Sequence, residues 1–216
     1  MFLPEKTFLG DSCLAWSWGR SISQDTSYRV LRAYRRLKED PELIRLGVLD
    51  TVPAYTSLAI YFDPVNVDMA CLQARTEELF IELENEPVVV DQLLSESYRF
   101  PVVYDGEDLG RVASNTGLSY REIVEYHTKP IYTVAMIGFI PHFPYLIGLD
   151  ARLTTPRLDN PRKRVPVGSV AIGGAQTGIY PTDSPGGWNL IGRTDPATLT
   201  ELRPGDSIIF YKVKSL

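Results

Sequence analysis

The chain has 216 residues, 44 % of them hydrophobic and 23 % charged, with a formal net charge of −5. That length fits one large domain or two small ones, and the acidic balance excludes a nucleic-acid partner held by phosphate neutralisation. No stretch approaches the run of about 18 apolar residues that a membrane span requires, so no membrane partner is expected.

Met1–Lys6 lacks a basic segment followed by an apolar one, so no signal peptide is expected. Cys13 and Cys71 read as two reduced thiols, which suits a cytoplasmic chain without a metal cluster. Leu14, Trp16 and Trp18 alternate on one face of a strand that begins at Cys13. Ser23 then reads as an N-cap, and Val30, Leu31, Tyr34 and Leu37 recur at helical spacing until Pro41 ends the helix. Leu46–Val52 and Ser57–Phe62 read as strands of a hairpin turning at Pro53–Tyr55. A second amphipathic helix buries Met69, Leu72, Leu79, Phe80 and Leu83, and Val88–Val90 reads as a last short strand. The order β-α-β-β-α-β places two helices on one face of a small antiparallel sheet, an α+β unit over residues 1–95.

From Glu96 the pattern changes. Arg99–Tyr104 reads as a strand followed by two short helices, the second opened by a Ser119–Glu122 capping box. His127 falls at the end of that helix and reads as a helix-terminal cation. Ile131–Phe139 is a long strand of β-branched and aromatic residues. Beyond it, Val170–Ile172, Gly178–Tyr180, Trp188–Ile191 and Ser207–Val213 are short apolar runs between glycines and prolines, with a tight turn at Arg203–Asp206. Short strands between turns, with no helical period among them, specify a closed or sandwiched β-domain over residues 96–216.

The common nucleotide-loop, nucleophile-elbow and zinc-helix motifs are absent from the sequence. His127 and His142 do not single out a triad, so catalytic residues stay unassigned and no metal is expected. Residues 138–194 are denser in binding chemistry. Phe139, His142, Phe143 and Tyr145 are set among prolines that lower the entropy of a loop. Arg157, Arg162, Lys163 and Arg164 follow as a cationic cluster. Gln176, Thr177, Tyr180, Gly186, Gly187 and Trp188 combine uncovered backbone amides with aromatic walls, and Arg193 closes a strand. Guanidinium forks, amides and rings suit a small planar acid or a phosphate. The same glycines and prolines equally suit barrel corners, Trp188 suits a core, and the arginine run suits a solvated or partner-facing surface.

Phe139–Tyr145, Leu149–Arg157, Val165–Val170, Gln176–Pro181 and Ser184–Arg193 together resemble the signature of the allophanate hydrolase subunit 1 family, which includes the 5-oxoprolinase subunit PxpB and the sporulation kinase inhibitor KipI. Leu9–Ser12, Gly47–Val48 and Val52–Leu58 carry the resemblance into the first half, so it covers nearly the whole chain. It implies an α+β fold class, a small α+β domain followed by a cyclophilin-like β-barrel. It also implies a subunit that is inactive alone and opens 5-oxo-L-proline to L-glutamate with subunit 2 (PxpC/KipA-type) and PxpA-type partners. ATP enters at the level of the complex, where phosphorylating the amide oxygen of a poorly electrophilic lactam creates a leaving group, and its site is not assigned to this chain. Two other readings share the motifs: a KipI-like regulator docked on a sensor histidine kinase, and a lobe of a urea or allophanate carboxyltransferase-like assembly. His142 stands where the resemblance has glycine, which is expected to exclude a positive φ there and either to narrow the site or to add an imidazole to it. Within this frame Phe139, His142, Phe143, Tyr145, Arg157, Gln176, Thr177, Tyr180, Gly186, Gly187, Trp188 and Arg193 are expected to contact substrate, and Arg162 and Arg164 an acidic partner surface.

Overall fold

The computed structural model describes residues 3–86 and 96–216. The chain divides into two compact units, residues 1–93 and 94–216. In the first unit, β1 (Glu5–Phe8), β2 (Cys13–Ser17), β3 (Val48–Pro53) and β4 (Ser57–Phe62) form an antiparallel sheet in the order β1-β2-β4-β3. β1 has no counterpart in the sequence reading because all four of its side chains are exposed and leave no apolar alternation. Helices α1 (Gln24–Glu39) and α3 (Met69–Asn85) supply the apolar stripes that pack with the sheet. Their contacts centre on Leu14, Trp16, Leu58, Ile60, Leu72 and Phe80, with the Trp16 and Phe80 rings edge to face at 5.2 Å. Ser23 caps α1 by accepting the Thr26 N–H. Pro41 does more than end that helix: Asp40 closes α1 and caps α2 (Pro41–Arg45), where proline fits the first turn. The expected strand from Leu46 therefore begins later, at Val48, after Gly47 turns the chain at φ +90°. The expected strand Val88–Val90 lies outside the described residues.

The second unit is built on a seven-stranded sheet in the order β12-β9-β10-β7-β6-β13-β5. Its strands are β5 (Ser97–Val102), β6 (Tyr132–Ile137), β7 (Pro144–Ile147), β9 (Ser169–Gly173), β10 (Gln176–Ile179), β12 (Asn189–Arg193) and β13 (Ser207–Lys212). β13 runs parallel to β5, and the other pairs are antiparallel. A separate ribbon joins β8 (Arg162–Val165) to β11 (Ser184–Gly186). The sheet nearly closes on itself. Val103, just past β5, exchanges two backbone hydrogen bonds with Arg193 of β12 at 3.0 and 2.9 Å. Gly192 permits this seam, since a Cβ there would lie 2.5 Å from the Val103 carbonyl oxygen.

Helices α4 (Leu109–Thr116) and α5 (Tyr120–Thr128) pack Val112 and Ile123 into the same core as Phe100, Val134, Ile172 and Phe210. The Ser119–Glu122 capping box opens α5. β6 stops at Ile137 instead of Phe139 because the chain turns at Gly138, with Phe139 at φ +66°. One expectation is corrected in part here: His127 does lie in the last turn of α5, but not as a cation. Its ring is fully buried and stacks on Phe210 at 4.7 Å, and burial lowers its pKa from 6.5 to about 3.

Candidate functional site: an aromatic pocket on the barrel

The turn from β6 to β7 carries the first part of the site. Gly138 and Phe143 close the turn with a 3.1 Å backbone bond, and both Phe139 and His142 adopt left-handed backbone at φ +66° and +67°. The expectation that an imidazole at 142 excludes a positive φ is thus corrected. Histidine is among the non-glycine residues that enter this region most readily.

Phe143 is buried and forms the hub of a ring cluster, meeting Tyr145 at 4.8 Å, Tyr180 at 5.1 Å, Trp188 at 5.5 Å and the exposed Phe139 at 5.7 Å, all near edge to face. Glycines seat these rings. A Cβ on Gly173 would lie 2.5 Å from the Trp188 indole, and one on Gly178 would lie 3.1 Å from the Phe143 ring and 2.7 Å from a backbone carbonyl. The sequence suggests that this glycine-rich stretch leaves amides open to a ligand. The space vacated by these two missing side chains is instead filled by the protein's own rings.

Above the cluster is a pocket of about 330 Å³ lined by Phe139, Phe143, Tyr145, Tyr180 and Trp188, by Gly186 and Gly187, and by Arg157 at its polar edge. Ile140, Pro161 and Pro185 complete the wall. The volume falls at the low end of the range of about 300–1,000 Å³ for small-molecule pockets. Arg157 holds its guanidinium 5.5 Å from the Trp188 ring centroid. Its loop is fixed from below by buried Asn189, whose amide donates to the Pro156 and Ile172 carbonyls at 3.0 Å, and by a 2.7 Å bond from the Leu158 N–H to the Gly187 carbonyl. Burial pushes the Tyr145 and Tyr180 phenols up, with Arg157 pulling each the other way.

Four of the residues expected at the site do not line this pocket. His142 is exposed on the turn. Gln176 is half-buried where β10 leaves the turn from β9. Thr177 is fully buried and bonded to the Ala171 carbonyl and to His127. Arg193 belongs to the barrel seam, and its side chain pairs with Asp105 at 2.9 Å. The two arginines assigned to a partner differ from each other. Arg164 is exposed and pairs with Asp183. Arg162 turns inward to Asp108 at 2.7 Å and Glu107 at 2.8 Å, while the buried Asp108 also accepts the Leu190 N–H. Sequence reasoning misses Ile140, Pro161, Pro185 and the supporting Asn189. The signal for Asn189 is its place beside Trp188 in an apolar run, where a buried amide needs backbone partners.

Fold and pocket together define a two-unit α/β chain whose nearly closed β-sheet carries an aromatic pocket edged by an arginine. Residues 4–203 match the family described as carboxyltransferase domain, subdomain C and D, and the chain belongs to that family. It is similar to the B subunit of 5-oxoprolinase from Bacillus subtilis (strain 168), 34 % identical over 95 % of this chain and 91 % of that protein. The corresponding B subunit of 5-oxoprolinase from Haemophilus influenzae is 43 % identical over 76 % of this chain and 78 % of its own length. Among solved structures, TTHA0988 superposes with a TM-score of 0.77 at 36 % identity over 95 % of this chain. This chain spans 40 % of that molecule's length.

Proposed function

We propose that this chain is the B subunit of an ATP-dependent 5-oxoprolinase, which opens 5-oxo-L-proline to L-glutamate only together with subunit 2 (PxpC/KipA-type) and PxpA-type partners. The observation that carries the reading is similarity along 95 % of the chain to a protein of that name and nearly the same extent. The aromatic pocket supplies the substrate chemistry. A five-membered lactam offers C–H faces to Trp188 and Phe143, and its carboxylate suits the one guanidinium on the lining, Arg157. In this reading the chain binds and orients the lactam, and the rings keep water from its apolar face.

A nucleotide does not fit the same pocket. A triphosphate needs several donors and cations, and the lining offers Arg157 alone among rings, prolines and glycines. ATP is therefore kept at the level of the complex, outside this pocket, and no step on this chain passes through it. We read residues 1–95 and 96–216 as separate domains and the second as a cyclophilin-like barrel, a reading supported by the near-closed seven-stranded sheet. Two unpaired cysteines suit a cytoplasmic setting.

The test is glutamate release by a reconstituted mixture, each component omitted in turn. Turnover is expected only with all components present. An unchanged rate without this chain refutes the enzyme-subunit reading and turns attention to the kinase-regulator and carboxyltransferase-lobe alternatives.

A further inference from the structure

β9, β10 and β12 form a wall with two different sides. Val170, Ile172, Ile179 and Ile191 face the main core, whereas Ala171, Tyr180 and Leu190 belong to the ring cluster of the pocket. Successive residues of a strand point to opposite faces, so Thr177 sits on the core side and Gly178, the seat of Phe143, on the pocket side. Behind the wall lies a buried polar chain. The Thr177 hydroxyl donates to the Ala171 carbonyl at 2.9 Å, tying β10 to β9. With its one proton committed there, it accepts from His127 Nε2 at 3.0 Å. Nε2 therefore carries the imidazole proton, and Nδ1 accepts from the Tyr104 hydroxyl at 2.8 Å. The Tyr132 hydroxyl donates to the His127 carbonyl at 2.8 Å, which holds the end of α5 against β6. Each side-chain polar atom in this row has a partner, and the row is packed among Phe100, Tyr132, Ile172 and Phe210 of the core.

We propose that the Tyr104–His127–Thr177 chain is the support that positions the pocket floor, making His127 and Thr177 positioning residues for the pocket's ligand rather than contacts to it. The argument is geometric. Phe143 touches the β10 backbone at the residue next to Thr177, and Trp188 touches β9 at Gly173, two residues from the carbonyl that Thr177 holds. Losing the hydroxyl leaves the buried His127 Nε2–H without its acceptor and removes the side-chain tie that adds to the Gly178–Ala171 ladder pairing, and the two strands shift to compensate. That shift moves both ring seats together. The identity of the ligand rests on the 5-oxoproline reading, but the positioning role does not.

The experiment uses the full chain labelled with 5-fluorotryptophan. The fluorine resonance of Trp188 reports pocket geometry, and titration with 5-oxo-L-proline reports affinity. Thr177→Val is expected to move the Trp188 resonance and weaken binding about tenfold or more, as a displaced binding group does. Thr177→Ser, which restores the hydroxyl, is expected to recover both. A Thr177→Val protein that melts earlier but keeps the wild-type resonance and affinity overturns the proposal, as does failure of Thr177→Ser to rescue. If Thr177→Val does not fold, Tyr104→Phe, which removes the donor at the half-buried end of the chain, decides on the same resonance. Absence of 5-oxoproline binding to the wild type refutes the substrate reading alone, because the Trp188 comparison between variants still stands.

Discussion

Lowering the pH should destabilise the second unit through His127, and the size of the effect follows from its burial. The ring is neutral in the folded state, with a pKa lowered from 6.5 to about 3 because no water solvates the imidazolium. In the unfolded chain the same ring takes a proton near its ordinary value. The unfolded state therefore binds more protons at every pH between the two values, and stability falls as the pH drops through that window. At about 1.4 kcal/mol per pH unit, moving from pH 7 to pH 5 removes about 2 kcal/mol. Well above 6.5 the ring is neutral in both states and the dependence is flat. Asp150, held down to about 2 by its hydrogen bond from Arg152, loses its contribution only at lower pH. Asp206, whose carboxyl is raised by burial, works in the opposite sense.

A difference measurement isolates the histidine. Urea unfolding at pH 7 and pH 5, read on the fluorinated Trp188 so that only the second unit is followed, should show wild type losing about 2 kcal/mol more than His127→Gln. The variant is less stable than wild type at pH 7, because glutamine does not reproduce the bonds to Tyr104 and Thr177 together. Only its pH slope matters here. Parallel slopes for the two proteins would mean that the ring is protonated in the folded state, and the reasoning from burial would fail.

Four arginine variants test the pocket and its surroundings. Arg157→Ala should weaken 5-oxoproline binding by about tenfold or more, the worth of a charge-assisted hydrogen bond, with little change in melting temperature because the side chain is exposed. Arg193→Ala should leave affinity unchanged and cost at most about 1 kcal/mol, the worth of its surface pair with Asp105, as calorimetry and titration together would show. Arg162→Glu should destabilise the chain by about 3 kcal/mol in urea, since it leaves the buried Asp108 carboxylate facing a like charge. Arg164→Glu should unfold like wild type, which makes it the cleaner probe of an acidic partner in co-purification.

The legible parts of this chain are those whose cause is local. The α1 and α5 caps, the Val48–Phe62 hairpin and the stripe of α3 each depend on residues a few positions apart, and periodicity finds them. β7 and β8 escape because local composition argues against them: Pro144 opens one and three cations fill the other, yet each is set by pairing with strands distant in sequence. The glycines of the pocket show a deeper limit. A missing Cβ announces that something approaches closely, but not whether it is a ligand or the protein's own ring. Here the approaching groups are Trp188 over Gly173 and Phe143 over Gly178, contacts that exist only once the barrel has formed. Strand alternation does constrain one point further. Thr177 and Gly178 are neighbours in β10 and point to opposite faces, so they cannot both project into one pocket. Gly178 lies beneath Phe143, which leaves Thr177 to the core. A hydroxyl in that position needs a buried partner, and His127, the one imidazole near the barrel's interior, meets it there.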